Sequence, residues 1–183
     1  MRIMGVDPGT LVTGFGVIDC EDGRMTLVEY DVIRTSQAMS MPLRLRDIHL
    51  RLLDVIERTA PDEFAIESAF YSKNIQSTLK LGHARGVAIL AAALREIPTA
   101  EYAPREVKQS VTGNGGATKE QVEFMVMKLL GITERHAALD ATDAVAIAIC
   151  HANRMARPQS RGRSWRQFVE ENPDRVARPG RAG

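Results

Sequence analysis

Residues 2–34, RIMGVDPGTLVTGFGVIDCEDGRMTLVEYDVIR, contain three strand-like runs at 2–7, 12–19 and 24–34. Cys20-Glu21-Asp22-Gly23, between the second and third runs, is a hairpin signal, so the chain is expected to open with antiparallel strands. The first run, Ile3-Met4-Gly5-Val6, ends in Asp7, which places a carboxylate at the C-terminal end of a strand buried in a sheet. "DPG" at 7–9 is also a good turn sequence, and Asp7 taken alone serves equally as a turn residue.

Working outward, Ser40 is expected to cap a helix with Pro42 in its first turn. Leu45, Ile48, Leu52, Val55 and Ile56 recur at helical spacing until Pro61. A short buried strand, 62–67, closes on Phe64-Ala65-Ile66-Glu67. Residues 74–96 read as a long helix with Leu79, Val87, Leu90 and Leu94 as its apolar positions. Gly82, Gly86 and Ala93 leave part of one face nearly bare, which suits either tight packing within the chain or a two-fold helix pair between two copies. A fifth strand, about 98–103, precedes Pro104, which can start a short helix through Val107 and Lys108.

The stretch Thr112-Gly113-Asn114-Gly115-Gly116 reads as flexible and fits neither G-x-G-x-x-G nor the P-loop pattern. Thr118 and Gln121 form a capping box, and Val122, Met125, Val126 and Leu129 mark the buried face of the next helix. A last helix is expected at about 139–154. The Arg/Pro/Gly-rich remainder, with Trp165, Phe168 and Val169 as its clustered apolar residues, reads as a mostly disordered tail. The expected division is a domain over 1–153 and a tail over 154–183.

Four acids stand at the rims of apolar segments: Asp7, Glu67, Asp140 and Asp143. The i, i+3 spacing of Asp140 and Asp143 puts both on one helix face, although a helix N-cap with an acid in the first turn accounts for the pair as well. Glu67 has no evident local structural task. If the fold gathers the four, like charges about 4 Å apart repel by about 4 kcal/mol per pair at an effective dielectric near 20. Bound cations or raised pKa values have to offset that. An all-carboxylate set favours Mg²⁺ or Mn²⁺ over zinc, and two such ions about 3.5–4 Å apart clamp the attacking and leaving oxygens of a phosphodiester.

With 183 residues and 44% hydrophobic content the chain can bury a core without staples. Cys20 and Cys150 suggest neither a disulfide framework nor a zinc site, and a reducing, cytoplasmic compartment is expected. No signal-peptide segment and no run of 18 apolar residues is present, so neither secretion nor a membrane span is expected. The net charge of +1 hides an asymmetry: residues 154–183 carry eight arginines against Glu170, Glu171 and Asp174, while residues 1–153 are net acidic. An arginine-rich arm suits a polyanion, or simply a solubilising tail.

The motifs GVDPGTLVTGFGVID (5–19), FAIESAFYSKNIQSTLKLGHARGVAILAAA (64–93), EYAPREVKQSVTGNGGATKEQVEFMVMKLL (101–130) and LDATDAVAIAICH (139–151) closely resemble the RuvC family of Holliday junction resolvases. The likeness runs from residue 2 to about 153. It implies a ribonuclease H-like α/β fold, a mixed five-stranded sheet whose first three strands are antiparallel, with helices on both faces. It also implies a homodimer that binds four-way junction DNA and nicks two strands of like polarity symmetrically with Mg²⁺ or Mn²⁺, in DNA recombination and repair, beside the branch-migration proteins RuvA and RuvB.

By the same resemblance, Asp7, Glu67, Asp140 and Asp143 fall on the family's catalytic, metal-holding carboxylates, with two ions per site. Lys108 and Lys119 match basic positions whose role would be phosphate neutralisation. Phe70 matches an aromatic that stacks on an unpaired base, and Lys73 and Asn74 are expected to line the DNA path, as Tyr71, Lys80 and Arg85 also could. Each of these has a plain surface or core reading beside it. His83 stands where the family usually has glutamine. His49, His136 and His151 have no mutual metal spacing; His151 reads as a helix C-terminal residue facing the dipole, and His136 as a possible support to the metal ligands. Three rivals are an actin-like ATPase, which would need two lobes, a non-catalytic DNA-binding module, and a ribonuclease with the same chemistry.

Overall fold

The computed structural model describes residues 1–68, 75–133 and 139–156. Its core is one five-stranded sheet in the order β3-β2-β1-β4-β5: β1 Arg2–Asp7, β2 Val12–Glu21, β3 Arg24–Arg34, β4 Glu63–Glu67 and β5 Thr99–Tyr102. β1, β2 and β3 are antiparallel neighbours, whereas β4 runs parallel to β1, and β5 parallel to β4. The mixed sheet with an antiparallel start is therefore as expected. β2 continues two residues further than its pattern suggested, and Asp22 and Gly23, both at positive φ, make a two-residue turn of the kind that matches strand twist.

Helices cover both faces. On one side, α1 (Met41–Thr59) and α2 (Ile75–Ala93) pack on Met4, Val6, Phe64 and Ile66. On the other, α3 (Pro104–Thr112), α4 (Lys119–Leu130) and α5 (Leu139–Ala156) enclose Ile3, Ile18, Ala65 and Tyr102. This split follows the alternation of side chains along a strand: Ile3 and Met4 face opposite layers. No second sheet or lobe exists among the described residues, so the architecture of the two-lobed ATPases is not met.

Local sequence signals hold in part. Ser40 occupies the N-cap position of α1, but its side chain makes no capping bond; its carbonyl accepts from Arg44 N at 3.1 Å. Thr118 and Gln121 do form the capping box of α4. On that helix, however, Leu129 is exposed and Glu123 buried, reversing the expected face at two positions. The larger correction is α2. Ala84, Ala88, Ala91 and Ala92 are its buried face, while Leu79 (59% exposed), Leu90 and Leu94 point outward. Small side chains let α2 lie close to α1 and the sheet, and the leucines are left on the far side. α5 continues to Ala156, two residues past the helix end expected at about 154. The tail beyond it, with Trp165, Phe168 and Val169, lies outside the described residues.

Among the described residues no helix is long and apolar enough to cross a membrane. Cys20 and Cys150 form no disulfide with each other.

Candidate metal centre

Asp7 is the last residue of β1, and it shares the α5-facing side of that strand with Ile3 and Gly5. The turn after it is held by Thr13, whose hydroxyl donates to Gly9 O at 2.6 Å and accepts from Gly9 N at 3.3 Å. Glu67 ends β4 in the same way, one strand over, and Ser68 N donates to Tyr102 O at 2.8 Å to continue the sheet edge just beyond it. Asp140 and Asp143 lie in the opening turns of α5. Asp140 is inside the helix, not at a capping position ahead of it.

α5 crosses the sheet unusually close to its backbone. A Cβ on Gly5 would lie 2.7 Å from Ala148 N; one on Gly14 would overlap the Asp140 carbonyl, and one on Gly16 the side chain of Val145. Three glycines on β1 and β2 thus form a bare track for the helix, and their lack of side chains sets how near its acids come to Asp7. Sequence reasoning missed this cradle. Its signal was present, since glycines inside strands mark close backbone approach.

Carboxylate oxygens of Asp7, Asp140 and Asp143 all lie within 4.8 Å of one another. Glu67 is outside that group but close enough to act on it electrostatically. Burial pushes the Asp7 carboxyl up to about 8, helped by Glu67, Asp143 and Asp140 and opposed by Lys119. Glu67 is raised too, first by burial and then by Asp143, while Lys119 and Lys108 pull it down. Such shifts are the signature of acids gathered without enough opposing charge. The donor set is all oxygen, half-buried and anionic, and it fits a hard divalent cation.

Lys119, the first residue of α4, extends over the centre. Its Nζ donates to Asp143 Oδ2 at 2.6 Å, and that bond raises its pKa, so it stays charged. The pair is only partly shielded, with the lysine side chain 57% exposed. Lys108, on α3, is close enough to influence Glu67. Arg85 is ion-paired with Glu101 of β5, and Lys80 and His83 are exposed on α2. Phe70, Tyr71, Lys73, Asn74 and His136 lie outside the described residues.

His151 departs from its expected place. It is buried, its Nδ1 is 2.8 Å from the Tyr102 hydroxyl, and its Nε2 is 3.5 Å from Glu63 Oε2. Burial lowers its pKa, with Arg154 adding to the shift and Glu63 opposing it. It is a neutral cross-link between α5 and the sheet, not a cation at a helix end.

A ribonuclease H-like sheet with acids from two parallel strand ends and one crossing helix defines the class of carboxylate-centred, metal-dependent nucleases. Within it, the chain belongs to the family described as crossover junction endodeoxyribonuclease RuvC, which it matches over residues 3–151. The Salinibacter ruber crossover junction endodeoxyribonuclease RuvC is 48% identical over 97% of this chain and 99% of its own length. That of Cytophaga hutchinsonii is 45% identical over 95% and 87%. A structure of T. thermophilus RuvC in complex with Holliday junction substrate superposes with a TM-score of 0.80 at 34% identity, covering 85% of this chain and 94% of that one. The yeast mitochondrial Holliday junction resolvase, at 14% identity and a TM-score of 0.58, shares the fold.

Proposed function

We propose that this chain is a structure-selective DNA endonuclease that resolves four-way (Holliday) junctions by paired symmetric nicks, in recombination and DNA repair. The observation that carries the reading is the meeting of Asp7, Asp140 and Asp143 within 4.8 Å, in a chain of this family. Asp7, Glu67, Asp140 and Asp143 are the proposed catalytic and metal-holding residues. Mg²⁺ or Mn²⁺, two ions per site, would supply the positive charge that activates a water and stabilises the leaving oxygen of a phosphodiester.

The protein's own residues have separate tasks in this scheme. The strand-borne acids, Asp7 and Glu67, give the site a rigid floor, and α5 brings Asp140 and Asp143 down onto it. Lys119 presents a fixed ammonium beside Asp143, where it can neutralise charge developing on the scissile phosphate, with Lys108 as a second phosphate contact. Phe70, Lys73 and Asn74 follow Glu67 in the sequence and are proposed DNA contacts on the family likeness.

A homodimer is part of the proposal. Ile75, Leu79 and Leu90 are exposed along α2, Leu94 is exposed just beyond its end, and Gly82 and Gly86 face open space, so a second α2 can approach closely there. Cooperation with RuvA and RuvB rests on family membership alone. The two cysteines, not joined in a disulfide, support a cytoplasmic location. We also propose a nuclease domain over about 1–153 followed by an arginine-rich tail over 154–183.

The test is nicking of a synthetic four-way junction with and without Mg²⁺, with structured RNA as a control. Asp7→Asn is expected to bind the junction and leave it uncut; cutting at the normal rate would remove Asp7 from the site.

A further inference from the structure

We propose that Gln109 is a positioning residue for Lys119: its carboxamide clasps the α3–α4 loop in the shape that carries the Lys119 ammonium to Asp143. The inference rests on the reading of Lys119 as a phosphate-neutralising group.

The stretch 112–116, expected to be flexible, is tied down. Gln109 lies in the last turn of α3 and reaches past the helix end. Its Nε2 donates to Gly113 O at 2.6 Å, and its Oε1 accepts from Gly115 N at 3.0 Å, so one side chain bridges both flanks of Asn114. Gly113 sits at positive φ as the C-cap of α3, which turns the chain back over the helix. Gly115 then rests on Arg105, one turn before Gln109, where a Cβ would come 2.8 Å from Arg105 Cγ. Further along, Gly116 N donates to Asn114 Oδ1 at 2.9 Å and Ala117 N to Asn114 O at 3.1 Å. Ala117 is buried, Thr118 caps α4, and Lys119 follows at once.

Three of the four residues from 113 to 116 are glycines, the residues that lose most conformational freedom on ordering. Thr112 Oγ1 also accepts from Asn114 N at 3.1 Å, so loss of the Gln109 clasp frees Gly113 and Gly115 in particular, and the start of α4 inherits that freedom. The consequence falls on an exposed lysine whose value to the reaction depends on where its ammonium stands. Misplacing such a group by about 1 Å can slow a reaction by about 100-fold.

The experiment compares wild type, Gln109→Ala, Lys119→Met and the double variant in single-turnover nicking of a four-way junction with saturating Mg²⁺. Junction affinity without Mg²⁺ and Tm are measured on the same proteins. Gln109→Ala is expected to slow nicking by about 10-fold, with affinity within about twofold and Tm nearly unchanged. Lys119→Met is expected to slow it at least as much, and the double variant to be no slower than Lys119→Met.

Independent, multiplying effects in the double variant overturn the proposal, as does a wild-type rate for Gln109→Ala. A Gln109→Ala protein that loses affinity and Tm together shows a general structural role, which also overturns it. If Lys119→Met cuts at the normal rate, the role of Lys119 fails with the clasp, while the carboxylate centre is judged separately by Asp7→Asn.

Discussion

Asp7 stands opposite Gly14 in the β1–β2 ladder, and a Cβ on Gly14 would overlap the main-chain carbonyl oxygen of Asp140. The acid on one strand and the bare backbone on its neighbour are therefore two halves of one device: Gly14 admits the helix that brings Asp140 to Asp7. Gly14→Ala forces α5 away from the sheet, because the clash is with backbone and cannot be relieved by a rotamer change. Overpacking of this kind costs about 1–3 kcal/mol, which at this chain length lowers Tm by about 2–12 °C. Nicking should fall by more than Tm does. A fully active Gly14→Ala protein would refute the cradle.

Asp7 contributes a large share of the pH dependence of the metal-free protein. Its carboxyl is raised from 3.8 to about 8, so between those values the folded state holds a proton that the unfolded chain has released. The stabilisation is complete below about pH 4 and is lost as pH rises through about 8. Asp7→Asn removes this titration. Allowing for relaxation around the site, the variant should melt about 4–10 °C above wild type at pH 9 without metal, with the gap closing towards pH 4. Saturating Mg²⁺ should stabilise wild type and leave Asp7→Asn less affected. Parallel melting curves for the two proteins across pH would contradict the assignment.

His151 works with the opposite sign. Its folded pKa is lowered below 6.5, so its contribution is complete above about pH 6.5 and is lost as pH falls through the folded value. With the Nε2 proton directed at the Glu63 carboxylate, neutral His151 accepts from the Tyr102 hydroxyl through Nδ1. Tyr102→Phe deletes the donor and leaves a buried acceptor, which should destabilise the fold by about 1–3 kcal/mol at pH 8. Both proteins should lose stability as pH falls below 6, and the difference between them should persist, because protonated His151 donates through Nδ1 to the Tyr102 oxygen in wild type and finds no acceptor there in Tyr102→Phe. Urea melts at pH 5.5 and pH 8 measure this directly.

The outer face of α2 predicts assembly. Leu79→Glu should convert the proposed homodimer to a monomer at micromolar concentration without loss of helical signal, since Leu79 is exposed within one chain. Gly86→Leu should do the same, because Gly86 meets nothing within its own chain and gains a side chain where the partner helix would lie. Sedimentation at several concentrations reads both. Unchanged mass for both variants would move the interface elsewhere.

How much was legible beforehand varied with how local the signal was. The hairpin at Asp22-Gly23, the Thr118/Gln121 box and Pro104 at the start of α3 were readable because turn and cap chemistry acts over a few residues. The four acids stood out because each closes or opens an apolar segment; Asp7, Asp140 and Asp143 meet within 4.8 Å, and Glu67 lies outside that group. The α2 leucines misled, since helical periodicity locates a stripe without saying which stripe meets the core; alanines took it where α1 and the sheet come close. His151 misled likewise, because position along a helix does not reveal which side of it is covered.

The order and type of the strands and helices, the antiparallel opening of the sheet and the chemical identity of the acids were thus properties of the chain read in short windows, where backbone preferences and side-chain type decide. Which acids come within 4.8 Å, how closely α5 lies on Gly5, Gly14 and Gly16, and that Lys119 reaches Asp143 belong to the tertiary structure alone. Those distances depend on contacts between segments more than a hundred residues apart in the case of Asp7 and α5, and only packing of the whole sheet and its helices sets them.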